Sequence, residues 1–153
     1  MTPENKLLYS RVKALNPYLN LMTWTMIMSQ KYCLLVDDDK FVTDLMAPPL
    51  KVRGYNPVSV HSGRDALRAI ELSVPTFVIL DIILPDMSGF DVLRVIRRNA
   101  RSSEVLVFML TGRSEVETQL KSFDLGATEF FQKPVNPREV IEQVQDILWA
   151  RKI

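Results

Sequence analysis

Cysteine and histidine are almost missing from this chain, and neither sign of charge is in excess. One cysteine, Cys33, stands among 153 residues. It cannot form an internal disulfide, which fits a reducing cytoplasm, and its place inside an apolar run makes it a small core residue. The single histidine, His61, follows a strand pattern and reads as a surface or packing residue. Nineteen basic residues face eighteen acidic ones, a formal charge of +1, and the lysines and arginines are scattered along the chain. No footprint for nucleic acid is visible, so no direct DNA binding is expected. Long apolar runs are missing too. The best candidate, Tyr18 to Met28, is eleven residues, whereas a bilayer needs about twenty. No small-residue cleavage site marks a signal peptide. What remains, 47% hydrophobic and 24% charged, is one ordinary soluble domain able to bury a core without metals or disulfides.

The informative residues follow short apolar runs. Val36-Asp37-Asp38-Asp39, Leu80-Asp81, Leu110-Thr111-Gly112 and Lys133-Pro134 each place a polar group directly after a stretch that reads as a buried parallel strand. Strands are expected at Tyr32 to Val36, Asn56 to Val60, Phe77 to Asp81, Val105 to Leu110 and Thr128 to Gln132. Helices fill the intervals near 40–53, 63–72, 89–98, 114–124 and 136–151. Five such βα units imply an α/β fold, a doubly wound parallel sheet with helices on both faces. One sheet edge then carries three carboxylates, a hydroxyl and an ammonium, at the place where open α/β sheets bind ligands. Asp39 suits a helix N-cap, Ser88 and Asp91 have capping-box spacing, and Asn136-Pro137 gives an N-cap followed by proline. Val140, Ile141, Val144, Ile147 and Leu148 form one core-facing stripe. Pro48 and Pro49 fall inside the first helix, where a break or kink is expected.

Taken in order, VDDD, LDIILPDMSG, LTG and KPV resemble the motifs of a response-regulator receiver domain, the phosphoacceptor half of a two-component signalling pair, of the single-domain type. The resemblance covers about residues 31–153 and implies the flavodoxin-like strand order 2-1-3-4-5. It implies that Asp81 accepts a phosphoryl group from the histidine of a partner kinase, that Asp38 binds a metal directly and Asp37 through water, and that the Ile83 carbonyl completes the protein ligands. Three carboxylates with only oxygen donors suit Mg²⁺ or Mn²⁺. Two carboxylates about 4 Å apart repel by roughly 4 kcal/mol at an effective dielectric near 20, so a cation is needed to hold them together. Thr111 and Lys133 would bond the phosphoryl group, with Lys133-Pro134 a cis peptide. Phe130, three residues before the lysine, would be the aromatic of the switch, turning inward as Thr111 moves. Ile83 and Arg113 would flank the pocket mouth and set phosphate lifetime.

The implied partners are a sensor histidine kinase or histidine phosphotransfer protein, a downstream target on the face of the fourth helix, fifth strand and fifth helix, and a second copy of the chain on phosphorylation. No membrane is involved, and a cytoplasmic location is expected. With no output domain after Ile153, the chain would act by binding a protein. A phosphorelay intermediate and a phosphate-insensitive pseudo-receiver are the alternatives. Catalysis would be limited to its own phosphorylation and dephosphorylation. Residues 1–30, with Leu8, Val12 and Leu15 at helical spacing before Asn16-Pro17, read as a docking or dimerising helix, a segment packed on its own domain, or the product of a start codon assigned too early, since Met28-Ser29-Gln30-Lys31 resembles a usual receiver start.

Overall fold

The computed structural model describes Ser10 and residues 31–112 and 116–153. The expectations for the N-terminal segment and for Arg113 lie outside the described residues. Five strands, β1 (Lys31–Val36), β2 (Tyr55–Val60), β3 (Phe77–Asp81), β4 (Leu106–Thr111) and β5 (Glu129–Gln132), alternate with α1 (Lys40–Val52), α2 (Gly63–Leu72), α3 (Gly89–Arg98), α4 (Val116–Asp124) and α5 (Pro137–Ala150). All strand pairs are parallel, in the order β2-β1-β3-β4-β5. Every element stands within two residues of its expected bounds. Among the described residues no helix is long and apolar enough to cross a membrane.

Period-two alternation divides the core between the two sheet faces. Cys33, Leu35, Phe77, Ile79, Phe108 and Leu110 pack with Met46 and Leu50 of α1 and Val140, Ile141, Val144 and Leu148 of α5. Leu34, Val36, Val78, Leu80, Val107 and Met109 turn the other way, onto Ala66 and Ile70 of α2 and Val92, Leu93 and Ile96 of α3. The central strand β3 is therefore buried along its whole length. Cys33 is a fully buried core residue. Burial pushes its thiol up to about 12.

The helix starts obey local capping chemistry. Asp39 accepts from the Phe41 amide at 2.9 Å, Ser88 from Phe90 at 3.2 Å and Asn136 from Arg138 at 3.0 Å, with Pro137 in the first turn. The expectation of a broken first helix is corrected: α1 runs unbroken through Pro48 and Pro49. The prolines deprive the carbonyls four residues earlier, those of Asp44 and Leu45, of their donors. Both residues are exposed, so water can take those acceptors, and the helix has only three residues to run after Pro49.

Candidate functional site

Register brings the polar groups together. Val36 pairs with Leu80, so Asp37 and Asp81 leave adjacent strands at the same level. Asp81 pairs with Leu110 and Thr111 with Gln132, which places Thr111 one step and Lys133 two steps further along the same edge. The Lys133 amide donates to the Thr111 carbonyl at 2.7 Å, and the Lys133–Pro134 peptide is cis. The Lys133 Nζ donates to Asp37 Oδ2 at 2.6 Å and to Asp81 Oδ2 at 2.9 Å. Asp37 and Asp81 are buried and Thr111 fully so, while Asp38 is exposed. Carboxylate oxygens of Asp37, Asp38 and Asp81 all lie within 4.8 Å of one another. Hard oxygen donors this close fit a small divalent cation.

Burial pushes the Asp37 carboxyl up from the usual carboxylate range and the Asp81 charge adds to it, against the opposing pull of the Lys133 bond and the Asp39 amide. Burial works against the Lys133 ammonium, but its bonds to Asp37 and Asp81 outweigh that, and its pKa is raised. The site thus holds its cation firmly protonated and its deepest carboxylate reluctantly ionised.

Of the other expected residues, Ile83 donates its amide to Asp81 Oδ1 at 3.1 Å and leaves its side chain half-exposed beside the site. Phe130 is partly buried against the α2–α3 side of the core. Asp39 caps α1 and lies outside the carboxylate cluster.

Two residues were not legible as site neighbours. The His61 Nδ1 lies 2.8 Å from the Asp37 carbonyl oxygen, tying the loop after β2 to the site. Asp86 reaches back across 23 residues to accept from the Gly63 and Arg64 amides at 2.8 and 2.9 Å, capping α2 from the loop that follows Asp81. Those two bonds hold its carboxyl below the usual range. Neither contact leaves a signal in local spacing. The loop is closed at its base by the Gly89 amide on the Ile82 carbonyl at 2.7 Å, and a Cβ at Gly89 would collide with the Asp81 carbonyl.

The response regulator receiver domain model matches residues 33–145. Among curated proteins, the chain is 31% identical over 118 residues to the DNA-binding dual master transcriptional regulator RpaA of Synechocystis sp., covering 75% of this chain and 48% of that protein. It is 32% identical over 123 residues to the alkaline phosphatase synthesis transcriptional regulatory protein PhoP of Bacillus subtilis, covering 80% and 50%. The chain spans about half the length of these relatives. Among solved structures, a CheY-like response regulator receiver domain protein of Methanospirillum hungatei superposes with a TM-score of 0.75 at 30% identity, covering 81% of this chain and 98% of that one. The signal receiver domain of a Luxo repressor protein of Vibrio parahaemolyticus gives 0.74 at 34%, covering 80% and 93%.

These relatives correct the partner expectation drawn from charge, that no direct DNA binding is to be expected. Scattered lysine and arginine describe only the matched segment, and that segment is half of proteins named as DNA-binding or transcriptional regulators. With its strand order, its clustered carboxylates and a family match that runs through every strand, the chain belongs to the response regulator receiver domains of two-component systems.

Proposed function

We propose that the chain is a phosphorylation switch in which Asp81 accepts a phosphoryl group from a phosphohistidine of a partner kinase. The observation that carries this reading is the single ammonium of Lys133 shared between Asp37 and Asp81, at a sheet edge with a third carboxylate in reach. One Asp81 carboxylate oxygen attacks phosphorus, the P–N bond breaks, and the leaving imidazole nitrogen keeps the bonding pair. Lys133 is already oriented on Asp81 and needs little movement to meet a phosphoryl oxygen, a charge-assisted bond that counts most in a water-poor site. Thr111, fully buried beside it, supplies a hydroxyl. Asp38, Asp81 and the Ile83 carbonyl, with Asp37 through water, would hold Mg²⁺ or Mn²⁺, which would supply charge neutralisation when bound.

The output is a change of protein surface. Phe130 lacks a hydroxyl, so its choice of rotamer rests on packing alone, and a gap of a few kcal/mol between two packings is enough for a switch. By analogy with the relatives named above, that change would serve the control of transcription from the cytoplasm.

The test is phosphorylation by acetyl phosphate with Mg²⁺. One acid-stable, base-labile phosphoryl group per chain is expected, and Asp81→Asn should abolish it. Undiminished labelling of that variant would move the acceptor elsewhere.

A further inference from the structure

Taking Asp81 as the phosphoacceptor, on which this rests, we infer that Arg97 is the pivot of the switch: its guanidinium fastens the C-terminal end of α4 to the entries of β4 and β5, and phosphorylation swings the rest of α4 about that point. Arg97 lies in the last turn of α3, partly buried. Its Nε and Nη2 both donate to the Gly126 carbonyl, at 2.9 and 2.7 Å, and its Nη1 donates to the Ser103 and Val105 carbonyls at 3.0 and 2.7 Å. One cation thus joins helix α3, the loop that leads into β4 and the turn between α4 and β5. All four bonds end on backbone carbonyls. A guanidinium presents its donors as a rigid planar fork, so a fork seated on two loops fixes the path of the chain at both. Gly126 suits the contact. Its φ of +89° is the left-handed conformation that closes a helix, with its own amide on the Phe123 carbonyl and the Ala127 amide on the Ser122 carbonyl, each at 2.9 Å. A Cβ there would stand 3.0 Å from the Arg97 Nε.

The chain after this turn is held as firmly. The Thr128 amide donates to the Val107 carbonyl at 2.7 Å, the Val107 amide to the Thr128 Oγ1 at 3.0 Å, and Leu125 and Ala127 pack on the core. The body of α4 is held differently. It buries two hydroxyl residues, Thr118 and Ser122, while Leu120 is 59% exposed and Phe123 46%. The Ser122 hydroxyl bonds back to the Thr118 carbonyl at 2.8 Å, which satisfies it within the helix and adds no tie to the sheet. Towards α3 the helix offers the exposed Lys121, its Nζ 4.7 Å from the centre of the Phe90 ring, a contact that can break without stranding a buried charge. A helix that buries hydroxyls and exposes apolar groups gains little from its seat, and elements with few buried apolar contacts move at the lowest cost. Thr111 closes β4 and Lys133 follows β5, so both groups that would meet the phosphoryl group stand on strands whose entries Arg97 fixes, about 20 Å away along β4. Helix α4 follows Thr111 in the chain and ends at Gly126. Moved at its start and held at its end, it swings.

The test follows amide hydrogen exchange along the full chain in Mg²⁺, with and without beryllofluoride as a mimic of the phosphoryl group. Binding of the mimic is read separately by fluorine NMR, with Asp81→Asn as the blank. In the unsubstituted chain the mimic should change exchange several-fold across residues 118–123 and leave 105–107 and 125–128 as they were. Arg97→Met keeps the apolar stem and loses the donors. It should bind the mimic as before, yet let the mimic-dependent change spread into 125–128. Arg97→Lys keeps the charge without the fork and should show the same spread to a smaller degree; it decides alone if the methionine variant does not fold. The pivot is overturned if the bound mimic leaves α4 unchanged, if it changes 125–128 in the unsubstituted chain, or if the Arg97 variants lose the bound fluorine signal. It is overturned equally if those variants exchange faster everywhere by the same factor with and without the mimic, which is what a merely structural residue gives. An unsubstituted chain with no bound fluorine signal would instead overturn the phosphoacceptor reading, and the pivot with it.

Discussion

At Asp37, burial and charge act in opposite directions. Desolvation penalises the carboxylate while Lys133 and the Asp39 amide favour it, and the net effect is a raised pKa. A carboxyl whose folded pKa is raised binds its proton more tightly folded than unfolded, so in the metal-free protein ionised Asp37 opposes folding and its neutral form does not. Asp37→Asn keeps the shape and an acceptor for Lys133. It should raise the metal-free melting temperature by a few degrees, where about 2–4 °C corresponds to 1 kcal/mol for a chain of this size. A fall in thermal scans with chelator would mean that the bond to Lys133 outweighs desolvation. Ile83 poses a kinetic question instead. Its half-exposed apolar side chain stands beside Asp81 and has no atom with which to orient a hydrolytic water. Ile83→Asn should speed loss of the aspartyl phosphate about tenfold, roughly 1.4 kcal/mol in the barrier, measured as decay of the isolated phosphoprotein. If Arg113→Ala accelerates decay and the Ile83 change does not, access is governed by Arg113.

Elements were legible wherever the physics is local. Apolar runs ending in Asp37, Asp81 and Thr111 located three strand ends, because a strand buried on both faces must be apolar throughout and polarity returns only at its edge, whereas β5, an edge strand with Glu129 and Gln132, is only partly buried and shows no such run. Ser88 and Asn136 marked helix starts for the same local reason. Pro48 and Pro49 misled because a proline's cost depends on whether the carbonyls it strands are wet, and exposure is a tertiary property. The Asp86 cap on α2 was hidden because its partners, Gly63 and Arg64, stand 23 and 22 residues away. That cap has a consequence for the site, since Asp86 anchors the far side of the loop that begins at Asp81. Asp86→Ala should leave two amides at the start of α2 without their acceptor, lower the melting temperature and slow phosphorylation by acetyl phosphate. Asp86→Asn, which keeps one acceptor oxygen, should recover part of both. Full phosphorylation rate in the alanine variant would show that the loop holds its shape without the cap.

For the whole molecule, the acidic edge is a point where stability has been given up. Three carboxylates against one ammonium leave a net negative cluster, and a folded protein that gathers like charges gains stability from any cation that binds the fold and not the unfolded chain. Mg²⁺ at a hundred times its dissociation constant should add about 2.7 kcal/mol, seen as a rise of roughly 5–10 °C in melting temperature that chelator reverses. Asp38→Ala should lose most of that rise. Lys133→Ala should keep it, since the lysine holds the carboxylates without being a ligand, while losing the response to phosphorylation. The pH dependence has a definite sign. On acidification a proton competes with the metal first at Asp37, whose pKa is raised, so metal-induced stabilisation should begin to fall above the ordinary carboxylate range. Lys133 acts at the other end: its raised pKa means that its ion pairs contribute fully below the ordinary lysine range and are lost only as pH rises through the higher folded value. Melting curves with and without Mg²⁺ across the acid range check the first limb. If the two sets of curves converge only within the ordinary carboxylate range, burial of Asp37 does not control metal binding, and the exposed Asp38 sets the limit.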